Sequence, residues 1–110
     1  MEKERLSYRV WASFMHLFSL LLTFILPIVV YLLSKGRNDY FTRHAKEGMN
    51  LHFTFFPIFL TLTFMSQKFS VASTLSIALL ILETILIIIA TVCTLIGKKF
   101  SYPVIKYFKV

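Results

Sequence analysis

Three apolar runs, Val10 to Ser34, Gly48 to Ser66 and Val71 to Gly97, hold one acidic or basic (Asp, Glu, Lys, Arg) residue between them, Glu83. A small soluble domain with runs of this length would have too few polar residues left to cover its core. As a helix rising about 1.5 Å per residue, the first run would extend about 37 Å, enough to cross a bilayer with tilt. Of the 110 residues, 57% are hydrophobic and 15% are charged, and the charges sit in short clusters between and beyond the runs. Lipid is the solvent that fits. The expected fold is all-α, an integral membrane three-helix bundle, with residues 1–110 as a single transmembrane domain and spans at about 10–34, 48–66 and 71–97.

The connections are short. Ser34-Lys35-Gly36-Arg37-Asn38-Asp39 is a turn by composition, with Asp39 and Thr42 as candidate caps for a helix that starts outside the membrane. Pro27 is expected to kink the first span, and Pro57 makes the second the least secure. Gln67 to Ser70 is short enough to join two antiparallel helices, and Lys98 to Val110 forms a basic, aromatic interfacial tail. The start of the chain mixes acidic and basic residues, the run after it is too long for a signal-peptide core, and no small-residue cleavage pattern follows, so this segment is expected to be retained.

The formal charge of +7 does not call for nucleic acid, because Lys and Arg lie at the ends of apolar runs, where anionic head groups are the expected partner. Across three spans the basic residues divide four to one side and eight to the other. The positive-inside rule then predicts a multi-pass protein of the cell membrane with its N-terminus outside and its C-terminus in the cytoplasm. Tyr8 and Trp11 near one end, and Tyr40, Tyr102 and Tyr107 near the other, suit interfacial aromatic belts.

Within the runs, small and polar residues recur at helical spacing. Ala12, His16, Ser19, Thr23 and Pro27 share one face; Arg43, Glu47, Asn50, Thr54, Pro57 and Thr61 share another; Ser76, Glu83, Ala90 and Gly97 recur every seven residues, with Ala72 and Thr94 alongside. Small side chains let membrane helices approach and hydroxyls can bond across the interface, so the stripes are expected to face inward, within one chain or between copies or partner membrane proteins. The alternative is that Ser and Thr bond back to their own helices.

Glu83 falls near the middle of the third run, where a carboxylate costs about 3 kcal/mol on insertion scales. It reads either as a proton or cation site or as a protonated side chain donating to Thr23 or Thr61, which lie at similar depth. His16 is expected to bond a neighbouring helix. His44, Glu47 and His52 are close in sequence, but positions 44 and 52 point about 80° apart on a helix, so no metal site is expected from them. At the edge of the second run, Arg43 and Glu47 are one turn apart, as are Lys46 and Asn50, so His44, Lys46, Glu47 and Asn50 read as an interfacial motif. Cys93 has no second thiol and is expected to be structural. No phosphate-binding glycine loop or nucleophile motif is present, so neither an enzyme nor a cofactor is expected.

Arg9-Val10-Trp11-Ala12 with His16-Leu17, then Pro27, His44-Ala45-Lys46-Glu47-Gly48-Met49-Asn50 and Tyr102-Pro103 before a basic aromatic end carry a resemblance. They resemble small bacterial membrane proteins of a domain-of-unknown-function family related to the Tic-type channel proteins of the chloroplast inner envelope. The resemblance implies a three- or four-helix membrane protein with plastid relatives in a protein-import translocon. Three functions are compatible with these observations: a structural or accessory role in the bacterial envelope, a translocation or ion or proton transport component, and immunity against membrane-active peptides.

Overall fold

The computed structural model describes residues 4–109; residues 1–3, which include Lys3 of the N-terminal charge cluster, and residue 110 of the tail lie outside them. The described chain forms four helices: α1 (Leu6–Leu22), α2 (Ile25–Ser34), α3 (Asp39–Met65) and α4 (Ser70–Leu95). The expected three-helix bundle is therefore corrected, because the first apolar run is two helices.

Pro27 has no N–H to give the carbonyl of Thr23, four residues earlier, and its ring crowds that carbonyl. The run breaks at that residue. Thr23 takes φ 54° and ψ −131°, a backbone conformation that β-branched residues rarely adopt. Its amide still donates to the Ser19 carbonyl at 2.8 Å, and the Ile28 amide donates to the Phe24 carbonyl at 3.1 Å.

After the break α2 turns back along α1. Trp11, Phe14, Met15 and Phe18 share an apolar groove with Leu26 and Val30. Tyr8, near the start of α1, stacks on Tyr40 at the start of α3 with ring centroids 6.3 Å apart. Ser34, at the end of α2, shares a 2.9 Å hydroxyl hydrogen bond with Thr42. Both ends of the α1–α2 hairpin thus lie beside the start of α3. With 17 and 10 residues, about 25 and 15 Å, neither helix of the hairpin matches a hydrocarbon core of about 30 Å.

Helices α3 and α4, with 27 and 26 residues, are long and apolar enough to cross a membrane. Only 17% of the apolar stretch of α4 is buried within the protein. Its outward residues, Val71, Leu75, Ile77, Ile81, Ile85, Ile88 and Val92 among them, are exposed, a surface that suits lipid. Helix α3 passes through Pro57 unbroken, as membrane helices tolerate.

The turn after α2 needs a glycine. Lys35 at φ −56°, ψ 123° and Gly36 at φ 76° form a type II turn, which requires positive φ at its third position. Asn38, rather than Asp39 or Thr42, caps α3: its Oδ1 accepts from the Phe41 amide at 3.1 Å. Asp39 instead occupies the first turn, and the Thr42 hydroxyl donates back to the Asn38 carbonyl.

Helix α4 returns antiparallel to α1, with Arg9 donating to the Leu95 carbonyl at 3.0 Å and Ser13 to the Thr91 carbonyl at 3.1 Å. The start of α1, the 35–38 turn and the C-terminal tail therefore share one end of a molecule 51 Å long. The expected placement of the N-terminus outside and the C-terminus in the cytoplasm counted the first apolar run as one crossing, whereas that run is two short helices whose far ends lie together. Arg5, Arg9, Lys35, Arg37, Arg43, Lys46, Lys98, Lys99, Lys106 and Lys109 gather toward the shared end, and among the described basic residues only Lys68 lies at the other.

The hairpin docks on α3 through a close backbone approach at Gly48. A Cβ there would lie 2.8 Å from Cγ and 3.1 Å from Cβ of Pro27, a rigid ring that cannot swing away. Gly48→Ala is expected to cost about 1–3 kcal/mol by forcing α2 off α3. Thr23→Gly, which relieves the positive φ, is expected to stabilise by about 1 kcal/mol. Thermal melts in detergent should move in opposite directions for the two variants.

Candidate functional site

The buried polar groups fall into two places. The first is at the basic end, where α3 presents His44, Glu47 and Asn50 at three-residue steps. All three are buried, and each holds another part of the chain.

Glu47 Oε2 accepts from the Tyr102 amide and Oε1 from the Ser101 hydroxyl, both at 2.8 Å. Lys106 Nζ lies 3.6 Å from Glu47 Oε2 and donates to the Ser101 hydroxyl and the Tyr102 carbonyl. Asn50 pairs with the backbone of Phe108 in both directions, Nδ2 donating to the carbonyl at 2.9 Å and Oδ1 accepting from the amide at 2.8 Å. Two side chains two turns deep in α3 thus clasp the tail by its main chain.

The tail reaches the clasp because α4 ends in a Schellman turn. The Lys98 amide donates to the Cys93 carbonyl at 2.8 Å and the Gly97 amide to the Thr94 carbonyl at 3.2 Å, with Gly97 at φ 81°. Of the two tail tyrosines expected in an interfacial belt, Tyr102 is corrected. Tyr107 is 53% exposed, but Tyr102 is 1% exposed and joins the core with Leu51, Phe55, Ile87 and Ala90.

Tyr102 also fixes the protons of two histidines. Burial, then the Glu47 and Glu83 carboxylates, push its hydroxyl above the usual tyrosine range, so it keeps its proton. That proton needs an acceptor, and His16 Nδ1 lies 3.0 Å away. His16 Nε2 is then the protonated nitrogen and donates to His44 Nδ1 at 3.0 Å. His16 therefore links α1, α3 and the tail. Lys46 is partly buried on the flank of α3 and takes no part in these bonds, and Glu47 meets Lys106 rather than Arg43.

The second place lies where the hairpin turns. A cleft of about 370 Å³ is lined by Leu20, Thr23 and Phe24 from the hairpin, His52, Phe56 and Phe59 from α3, and Ser76, Ile77, Leu80 and Glu83 from α4. His52 Nδ1 and Glu83 Oε1 are 3.7 Å apart, and His52 Nε2 is buried without a hydrogen-bond partner. Thr23 shares this cleft with Glu83. Thr61 does not line it: its exposed hydroxyl donates to the Pro57 carbonyl at 2.9 Å. Among the described residues, no group of three or more His, Cys, Asp or Glu side chains is placed to hold a metal ion.

Sequence spacing singled out His44, Glu47, Asn50, His16 and Glu83, but not their partners. Ser101, Tyr102, Lys106 and Phe108 lie more than fifty residues from Glu47 and Asn50 in the chain, and three of the bonds to Glu47 and Asn50 use backbone atoms of the tail. His52 was set aside because it points away from His44, which is the orientation that brings it to Glu83.

The fold and its buried polar core define a small all-helical membrane protein with one basic end and a clasped tail. The profile of the magnetosome magnetite crystal formation protein family, MamF/MmsF, matches residues 7–109, and the chain belongs to that family. Comparisons with curated proteins and with solved structures give no match. The family assignment overturns the resemblance to Tic-type relatives. Among the residues that carried it, Glu47, Asn50 and Tyr102 fasten the tail to α3.

Glu47→Ala and Asn50→Ala are each expected to loosen the tail by about 2 kcal/mol, roughly thirtyfold in exchange protection. Hydrogen exchange at the Tyr102 and Phe108 amides checks this, with the amides of α4 as the unaffected reference.

Proposed function

We propose that the protein is a non-enzymatic accessory component of the magnetosome membrane that acts on the growth of magnetite crystals. The family match across nearly the whole chain carries this reading. The two long apolar helices and the one-sided charge support a fixed orientation, with the basic end on anionic head groups of the cytoplasmic leaflet. The 66–69 connection then faces the vesicle interior, where the mineral forms. Self-association or a partner membrane protein would use the lipid-facing surfaces of α3 and α4.

Transport through the chain draws less support from the geometry. The cleft ends at the hairpin turn, and toward the basic end the helices meet in the packed His16, His44 and Tyr102 cluster. Resistance to membrane-active peptides draws none.

Deleting the gene in a magnetite-forming bacterium is expected to change crystal size or number while leaving the vesicles in place, as measured by electron microscopy. Crystals identical to those of the parent would count against the reading.

A further inference from the structure

The second polar site, His52 with Glu83, is not closed by a hydrogen bond. Glu83 is 7% exposed and His52 3% exposed, yet the facing atoms, His52 Nδ1 and Glu83 Oε1, are 3.7 Å apart, too long for a hydrogen bond. Two buried polar groups that face each other across such a gap, at the wall of a cleft of about 370 Å³, leave part of their bonding capacity for a third species.

We infer that His52 and Glu83 bind a divalent first-row transition-metal ion, which in a magnetite-forming vesicle is ferrous iron. Two ligand atoms each about 2.1 Å from one ion lie at most about 4.2 Å apart, so the observed separation admits an ion between them. One imidazole and one carboxylate favour iron, manganese or zinc over a hard cation such as magnesium, which takes oxygen alone. Ser76 and Thr23 add hydroxyls to the same cleft, and water fills the remaining positions. With two protein ligands the site is weak and exchangeable, which suits an ion handed onward rather than a structural metal. Ser76 and Phe59 carry the cleft from the pair toward the 66–69 connection, the end that the proposed orientation places in the vesicle. The choice of iron rests on that proposal; the site itself rests on the geometry.

The purified protein in detergent should be titrated with cobalt(II), whose visible absorption reports entry into a protein site. The expected result is one ion per chain, weakened by about tenfold or more in both His52→Ala and Glu83→Gln, and unchanged in the surface variant Asp39→Asn. Circular dichroism melts confirm that each variant is folded, and Glu83→Gln preserves side-chain shape if His52→Ala is too disruptive. Absence of binding at millimolar cobalt, or equal binding by all four proteins, overturns the site. A cell experiment separates the two proposals. If deletion alters crystals but the His52→Ala gene restores them fully, the site fails and the crystal role stands; if cobalt binds as expected but deletion leaves crystals unchanged, the crystal role fails and the site stands.

Discussion

The architecture depends on one missing hydrogen-bond donor. Pro27 cannot serve the carbonyl of Thr23, and the first apolar run breaks there into two helices and turns back. From that turn follow the placement of the start of α1 beside the start of α3, the gathering of basic residues at one end, and the cleft beneath the turn. A straight first span would put α1 and the tail at opposite ends and leave no room for the contact between His16 and Tyr102. The strain at Thr23 is consistent with this, since packing on α3 at Gly48 and on α4 at Ser13 holds the turn against its local preference.

The second constraint is the clasp. A carboxylate buried at the end of a membrane helix is costly unless its oxygens are fully used, and Glu47 uses both on the tail, with Lys106 close by. Asn50 uses both ends of its amide on a single residue. The tail has no regular structure of its own, so its buried backbone groups need such partners. The clasp and the Tyr102–His16–His44 chain together close the basic end, while the cleft opens at the His52 and Glu83 pair, halfway along the two long helices.

Much of this was legible in the sequence at the level of helices. The apolar runs marked α3 and α4, and the small-residue stripes contain Ala12, His16, Ser19, Ala72, Ala90 and Thr94, all of which are buried. The stripe on α3 held only in its first half, since Pro57 and Thr61 are exposed below the hairpin, where nothing covers them. Hydropathy could not reveal the break at Thr23, because a turn within an apolar run changes no side chain's polarity. The orientation expected from the basic residues counts every apolar run as one crossing, and the first run is two short helices. The lysines and aromatics of the tail suggest an interfacial segment, but Glu47 and Asn50 hold it by backbone amides and a carbonyl, which composition does not record.

If the first apolar run enters the membrane and returns, a compartment-sensitive reporter placed in turn at the N-terminus, at the C-terminus and within residues 66–69 distinguishes two arrangements. Both termini are expected to report the same compartment, the cytoplasm, and the 66–69 insertion the opposite one. Termini reporting opposite compartments would show three crossings and contradict the return.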